Sequence, residues 1–210
     1  MLHKMAVYET LRTWGGRFIF LDRHEARLGR SLKEIVVPYV GRNDLRLKIV
    51  VNGEVKITEE ILPPWNGSFI YDRVWSLGFA GLERVQPEVK NADTSAKDSA
   101  REESGCDEVL LVNRAGEITE GSITNVFFIK NGVLITPASG ILKGVMRSVI
   151  LEAAAQLGVL VVERAVLRTE YANFDCVFLC NSIRGIIQVG VLHPLMVKLE
   201  AQINKNYRNS

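Results

Sequence analysis

The chain has 210 residues, of which 47% are hydrophobic and 24% charged, and its formal net charge is +2. This balance is that of a soluble globular protein with room for one large or two small domains, and it lacks the basic excess typical of nucleic-acid-binding proteins. Glu9 and Arg12 interrupt the first apolar run, so we predict no signal peptide and no membrane span, and we expect a cytoplasmic protein.

The chain has three cysteines, an odd number, and they lie in apolar or strand-like stretches at Cys106, Cys176 and Cys180. This favours reduced thiols over a disulfide framework. Cys176 and Cys180 have neither CxxC spacing nor a nearby histidine, so core packing is favoured over metal binding. We predict no metal site.

The first part of the chain is predicted to form a small α/β unit. Its expected elements are a strand over Met5–Thr13, a turn with two glycines, a returning strand over Phe18–Leu21, a helix, a half-buried strand over Leu45–Val51 and a partner strand after the Asn52-Gly53 turn.

The helix of this unit is predicted to begin with Asp22 as its cap and Glu25 completing a capping box. An apolar stripe from Leu28 to Val36 would face the core. Arg27 lies beside that stripe. An arginine in such a place usually extends to solvent or pairs with a surface acid, and otherwise serves an anionic ligand.

A domain boundary is predicted where Gly81, Gln86 and Pro87 interrupt the pattern. The expected division is a small domain over 1–82, a linker over 83–88 and a larger domain over 89–210. One more strand is expected near Val74–Leu77. Lys90 precedes a helix predicted from Thr94 to Ser104, and by itself it is typical of a solvated surface lysine.

Residues 107–150 combine polar side chains with short apolar runs. Three or four antiparallel strands are expected here, and Asn131-Gly132 favours a two-residue hairpin between two of them. Glu120 falls at a strand end beside Gly121, where a carboxylate can face a pocket while the backbone stays close to its occupant.

A helix is predicted from the Gly144-Val145-Met146-Arg147 segment to a stop at Gly158. A glycine at a helix start lets backbone N–H groups approach an anion, and the helix dipole favours negative charge there. Considered alone, the segment is more typical of an ordinary strand-to-helix turn, since one such motif specifies no cofactor.

Four blocks of the sequence, in this order, are the most specific: VYETLRTWGGRFIFLDRHEARLGRSL, VNRAGEITEGSITNVFF, LITPASGILKGVMR and CNSIRGI. With these blocks the chain resembles, from about Val7 to Val191, the class IV aminotransferases, or fold-type IV pyridoxal-phosphate enzymes. That family includes branched-chain aminotransferase, D-amino-acid aminotransferase and aminodeoxychorismate lyase. The resemblance implies a two-domain α/β (α+β) fold with a small N-terminal α/β domain, a larger C-terminal domain with a mixed sheet or barrel-like core, and pyridoxal 5'-phosphate in the cleft between them.

The resemblance also implies a role for each matching residue. Lys90 would bond the cofactor covalently and move the substrate proton, with Lys97, inside the predicted helix, as the competing lysine. Glu120 would pair with the protonated pyridine nitrogen of the cofactor. The remaining matches are phosphate contacts and substrate contacts: Arg27, the backbone amides of Val145 and Met146, and Ser182 for phosphate, with Tyr8 and Arg184 for substrate.

The CNSIRGI block and the spacing from Lys90 to Asp107 are more similar to the lyase branch. The main prediction is therefore elimination of pyruvate from 4-amino-4-deoxychorismate to give 4-aminobenzoate for folate biosynthesis. Arg184 would then bind a substrate carboxylate, or else form a structural salt bridge with Glu170 or Asp175.

Two other activities stay open: an aminotransferase for branched-chain or D-amino acids with a 2-oxoacid acceptor, and a shortened non-catalytic homologue. The resemblance further implies a small-molecule amino substrate and a homodimer. From the charge balance and the lack of a spanning segment, no nucleic-acid or membrane partner is expected.

Overall fold

The computed structural model describes residues 6–208, and these divide into two compact units. The first unit contains the chain up to Gly67 together with Val89–Thr94, and the second contains Ser68–Glu88 together with the chain from Ser95 onward. The chain therefore enters the second unit, returns briefly to the first, and then completes the second.

The first unit is built on a four-stranded antiparallel sheet with the order β2-β1-β3-β4. Its elements are β1 (Val7–Trp14), β2 (Arg17–Phe18), α1 (Leu21–Leu28), α2 (Lys33–Val36), a 3-10 turn over Val37–Tyr39, β3 (Leu45–Asn52) and β4 (Glu54–Ile61). Alternate residues of β3 point to one face, so Leu45, Leu47 and Ile49 are buried against Leu11 and Leu32. Met5, the predicted start of the first strand, lies outside the described residues.

The predicted capping box of the first helix is wrong. The chain enters α1 through Phe20, whose φ of 51° is left-handed, so Asp22 lies within the first turn and caps nothing. Glu25 instead accepts the backbone N–H of Leu32 at 2.7 Å and thereby ties α1 to the start of α2. Gly29, with φ 66°, ends α1, so the predicted apolar stripe is divided between two short helices.

The second unit contains two sheets, a five-stranded one with the order β10-β9-β8-β12-β13 and a four-stranded one with the order β11-β7-β6-β5. Its strands are β5 (Leu77–Ala80), β6 (Glu108–Val112), β7 (Glu117–Gly121), β8 (Asn125–Lys130), β9 (Val133–Thr136), β10 (Val161–Glu163), β11 (Val166–Leu167), β12 (Cys176–Asn181) and β13 (Gly185–Val189). Its helices are α3 (Ser95–Ser104), α4 (Val145–Gln156) and α5 (Pro194–Arg208), with a 3-10 helix over Arg168–Asn173. Each sheet mixes antiparallel pairs with one parallel pair.

The predicted hairpin between β8 and β9 is confirmed, because Asn131 and Gly132 have φ values of 50° and 77°. Two positive φ values in succession are what a tight hairpin of this kind requires. Around it the apolar faces of both sheets form one buried cluster, which includes Leu110, Val126 and Phe128.

The two units divide the chain differently from the predicted domains in two segments. Ser68–Glu88 groups with the second unit because β5 pairs in parallel with β6, in a strand three residues later than expected. Val89–Thr94 groups with the first unit because it hydrogen-bonds to β1: Tyr8 N–H donates to the Lys90 carbonyl oxygen at 2.9 Å. Long-range strand pairing of this kind has no signature in the local sequence pattern.

The predicted α/β fold class is confirmed by the mixed sheets and by the helices that accompany them. Within residues 6–208, no helix has the length and apolar character needed to cross a lipid bilayer.

Candidate active site

Glu120 lies near the end of β7, where its side chain is buried. Its Oε1 accepts Arg84 Nη1 at 2.5 Å. Its Oε2 accepts the Leu142 backbone N–H at 2.7 Å, and Asn125 Nδ2 lies 3.4 Å from the same oxygen. The predicted carboxylate therefore exists as a buried anion held between a guanidinium and a loop amide.

The loop that contacts Glu120 leads directly into helix α4. Asn125 Nδ2 donates to the Leu142 carbonyl oxygen at 2.8 Å, which holds this loop against β8. Gly144 follows, and a Cβ placed on it would lie 2.1 Å from Asn125 Oδ1, so the approach requires glycine. The helix start is thus fixed three residues beyond the amide that binds Glu120.

Helix α4 has 12 residues, and no side chain caps its N-terminus. The first backbone N–H groups of a helix have no partner within the helix, and the positive end of the dipole lies there. Val145 and Met146, predicted to bind phosphate through their amides, occupy this first turn. The polar groups of the second unit fit pyridoxal phosphate: the buried Glu120 carboxylate can accept a bond from the pyridine nitrogen, and the N–H groups of the uncapped helix N-terminus can donate to the phosphate.

A second buried carboxylate, Glu108, shapes the turn after β7. It accepts the Ser122 hydroxyl at 2.5 Å, the Ser122 N–H at 2.9 Å and the Thr124 hydroxyl at 2.8 Å. Gly121 permits this packing, because a Cβ there would lie 2.7 Å from Glu108 Oε2. Sequence reasoning missed Glu108, although an acid that opens the apolar run of β6 is a usable signal for a buried, hydrogen-bonded carboxylate.

Helix α3 contributes two cations to the same region. Arg101 Nη1 donates to the Ser122 hydroxyl oxygen at 3.1 Å. Lys97, one turn earlier, is half-buried, and burial lowers its pKa, with the positive charge of Arg84 acting in the same direction. A lysine with a lowered pKa can act as a nucleophile or base, so Lys97 stays a chemically credible rival to Lys90.

The turn between β12 and β13 carries the predicted residues Ser182 and Arg184. Asn181 Oδ1 accepts the backbone N–H groups of Ile183 at 3.1 Å and Arg184 at 2.9 Å, which fixes the turn. Gly185 ends it with φ 71°, and a Cβ there would lie 2.2 Å from the Phe69 carbonyl oxygen.

The Arg184 guanidinium lies over two aromatic rings, 5.0 Å from the Trp75 centroid and 5.7 Å from that of Tyr71. The predicted alternative, a salt bridge with Glu170 or Asp175, is wrong. Those two acids pair elsewhere, with Arg164 and Lys130 respectively, because each lies on a different strand connection from Arg184.

In the first unit, Arg27 binds Glu9 through two bonds, Nε to Oε1 at 2.8 Å and Nη2 to Oε2 at 2.5 Å. His24 Nδ1 contacts Glu9 Oε2 at 2.7 Å. An ionised carboxylate only accepts, so Nδ1 carries the proton in this contact. The prediction that Arg27 pairs with a surface acid is therefore wrong, because its partner Glu9 is almost fully buried.

The burial of Glu9 by itself raises its pKa, but the hydrogen bonds from His24 and Arg27, together with their charges, outweigh this effect and lower the pKa to about 2. Burial lowers the pKa of His24, and the positive charges of Arg27 and Lys90 lower it too. The hydrogen bond to Glu9 acts in the opposite direction but does not outweigh them. Sequence reasoning missed both Glu9 and His24. The available signal was a charged residue inside an otherwise buried strand.

Lys90 lies beside Tyr8 in the first unit, with its Nζ 4.6 Å from the centre of the tyrosine ring. Lys48 approaches the same ring, at 5.0 Å. The structure thus brings Tyr8 and Lys90 together within the first unit. In the second unit it brings Glu120 together with the start of α4, the segment that contains Val145 and Met146.

The cysteines and possible metal ligands add no further site. Cys180 is fully buried, and burial raises the pKa of its thiol to about 12, which suits core packing. Across residues 6–208, no group of three or more His, Cys, Asp or Glu side chains is arranged to hold a metal ion.

The family profile of amino-transferase class IV matches residues 86–191 of this chain. A protein of Thermotoga maritima provisionally named branched-chain-amino-acid aminotransferase is 32% identical over 209 residues, which cover 88% of this chain and 76% of the relative.

Solved structures show the same similarity. A Thermotoga maritima structure, provisionally named branched-chain amino acid aminotransferase, superimposes with a TM-score of 0.84 at 25% identity, covering 99% of this chain and 87% of that one. Another, provisionally named 4-amino-4-deoxychorismate lyase, superimposes with a TM-score of 0.76 at 26% identity, covering 98% and 91%.

Proposed function

Because the chain belongs to the class IV aminotransferase family, whose enzymes use pyridoxal phosphate, we propose that it is a pyridoxal-phosphate-dependent aminotransferase for branched-chain or D-amino acids with a 2-oxoacid acceptor. The observation that carries the proposal is the 32% identity to a provisionally named branched-chain-amino-acid aminotransferase over 88% of the chain. This reverses the order of the two sequence-based predictions, in which the lyase came first.

The side chains of the second unit support this chemistry. Bound pyridoxal phosphate supplies an electron sink for the carbanion formed at the substrate carbon. Glu120, ionised and buried, would accept a hydrogen bond from the protonated ring nitrogen and stabilise its charge. The N–H groups of Val145 and Met146, with Ser182, would bind the phosphate, and the Arg27 guanidinium would add charge.

Lys90 would hold the cofactor and transfer the proton at the substrate carbon. The contact with Tyr8 supports this role by holding the Lys90 side chain in one place, with its Nζ 4.6 Å from the centre of the tyrosine ring. Tyr8 itself is proposed as a substrate contact.

A second candidate, elimination of pyruvate from 4-amino-4-deoxychorismate to give 4-aminobenzoate, is favoured by Arg184. Its guanidinium stacks on two rings, and neither acid that could have paired with it does so. A guanidinium in this state is suited to bind a substrate carboxylate bidentately. The similarity to a provisionally named 4-amino-4-deoxychorismate lyase adds support.

One experiment separates these activities. The purified chain is loaded with pyridoxal phosphate and incubated either with a panel of amino acids and 2-oxoglutarate or with 4-amino-4-deoxychorismate. We expect glutamate from the first reaction and no 4-aminobenzoate from the second. Pyruvate and 4-aminobenzoate without amino transfer would favour the lyase, and no product with no cofactor absorbance would favour a non-catalytic homologue.

A matched pair of lysine variants controls this assay. Lys90→Ala should abolish product, whereas Lys130→Ala, which removes a surface lysine paired with Asp175, should leave it unchanged. We also propose a cytoplasmic homodimer, as is common in the family, and light scattering of the purified chain tests the dimer.

A further inference from the structure

Arg84 is a buried cation that the catalytic scheme above does not use. It lies in the irregular segment between β5 and α3, and its side chain is 8% exposed. Its Nη1 donates to Glu120 Oε1 at 2.5 Å, across 36 residues of sequence. Removing two charges from water is costly, so such a pair persists where its geometry satisfies both groups.

The hydrogen bonds of Glu120 leave room for one more donor. An ionised carboxylate has about four acceptor positions. Arg84 takes one, the Leu142 N–H takes a second, and Asn125 Nδ2 at 3.4 Å takes a third only weakly. The buried carboxylate of Glu120 is therefore held at both oxygens without being saturated.

Glu108 provides the contrast within the same unit. It accepts five bonds, from the Val109 N–H, the Ser122 N–H and hydroxyl, the Ile123 N–H and the Thr124 hydroxyl. All of these donors belong to β6 or to the turn after β7, so Glu108 has the hydrogen-bond pattern of a purely structural carboxylate. Glu120 does not, because one of its partners is the guanidinium of Arg84, a cation from a segment 36 residues away in the sequence.

The charge of Arg84 also extends beyond Glu120. Together with burial, it lowers the pKa of Lys97 on α3, so the guanidinium acts on Lys97 as well as on Glu120. Without Arg84, Glu120 would remain buried with only neutral donors.

We propose that Arg84 is a positioning residue for Glu120: its guanidinium fixes the carboxylate so that the remaining acceptor position receives the protonated ring nitrogen of pyridoxal phosphate. This inference rests on the proposed function. It assigns Arg84 no contact with the cofactor or substrate.

The test compares binding of pyridoxal phosphate with binding of its 1-deaza analogue, which keeps the aldehyde and phosphate but has carbon in place of the ring nitrogen. Dissociation constants are measured by absorbance titration. The constant for the 1-deaza analogue divided by the constant for pyridoxal phosphate is a ratio that reports the ring-nitrogen contact alone. We expect Arg84→Met to reduce this ratio about tenfold, the scale of one charge-assisted hydrogen bond, while the constant for the 1-deaza analogue changes little.

Two further variants isolate the route through Glu120. In a Glu120→Gln background, Arg84→Met should not reduce the ratio further, because the contact that it orients is already lost. Arg114→Met, which removes an exposed arginine of the same unit, should leave the ratio at its original value.

Each outcome decides one point. An equal loss of affinity for both ligands, or no loss for either, in Arg84→Met overturns the inference and leaves the proposed function intact. If the original chain binds neither ligand, the proposed function fails instead. Should Arg84→Met not fold, as judged by its melting curve, Arg84→Lys retains the charge without the guanidinium geometry, and an unchanged ratio in that variant also overturns the inference.

Discussion

Replacing Glu9 by Gln tests the buried cluster of the first unit. The change keeps the size of the side chain but removes the negative charge that His24 and Arg27 bind. The pKa of Glu9 is lowered from 4.5 to about 2 in the fold. A difference of about 2.5 pKa units, at about 1.4 kcal/mol each, predicts a loss of about 3.5 kcal/mol in the free energy of unfolding at pH 7.

The pH dependence gives the sharper test. A carboxyl group whose pKa is lowered by folding stabilises the protein fully above its unfolded pKa, and this contribution disappears as pH falls through the folded pKa. With pKa values of 4.5 unfolded and about 2 folded for Glu9, its contribution should fall from about 3.5 kcal/mol at pH 7 to about 1.4 kcal/mol at pH 3. Urea unfolding of both proteins at several pH values measures this difference.

The control is Glu59→Gln, which removes one partner of the exposed pair with Arg42 and should leave the urea midpoint unchanged. A stability difference for Glu9→Gln that stays constant between pH 7 and pH 3 would refute the ionic argument and would assign the loss to packing. The lowered pKa of His24 acts in the same direction. As pH falls, the imidazole of His24 binds a proton in the unfolded chain at a higher pH than in the folded one. Acid should therefore destabilise the original protein already below about pH 6.5.

Four other changes address the proposed active site. Lys90→Ala should abolish borohydride trapping of pyridoxal phosphate while Lys97→Ala retains it; the reverse pattern, read by mass spectrometry, would assign the role to Lys97. Glu120→Gln should keep cofactor bound but lower turnover at least about a hundredfold, because a neutral amide replaces a charge-assisted contact, and unchanged steady-state turnover would contradict that role. Gly144→Ala should weaken phosphate binding, measured as a raised dissociation constant for pyridoxal phosphate, since its Cβ would displace the start of α4; an unchanged constant would show that the loop absorbs the clash. Arg184→Lys should raise the Michaelis constant for a carboxylated substrate with little change in melting temperature, whereas a lower melting temperature with unchanged kinetic constants would make Arg184 structural.

The family and the local elements could be predicted from sequence because their signals are local. Apolar alternation located β3, and the Asn131-Gly132 dipeptide located the turn between β8 and β9. The helical spacing after Gly144 located α4 and its N-terminus. The four ordered blocks, one of which contains Glu120, then identified the family, because several matches in order are far more specific than any one of them.

The predictions failed where a second, distant segment determines the outcome. Asp22 had the sequence pattern of a helix cap, but the left-handed conformation of Phe20 moved the helix start, and Glu25 turned to the next helix. The strand β5 lies later than expected because its position depends on pairing with β6. Local propensity cannot anticipate such pairings, since tertiary contacts override it.

The sequence by itself determined which residue types were available for the chemistry: a lysine before α3, a carboxylate at the end of β7 and a glycine before α4. The tertiary structure decided how each charged group is paired. Glu9 meets Arg27 across 18 residues and Arg84 meets Glu120 across 36, and in neither pair do the two residues share a helix or a strand. The physical reason is that a buried charge must find an opposite charge or a hydrogen-bond donor wherever packing brings one, and that partner is chosen by the fold rather than by the neighbouring sequence.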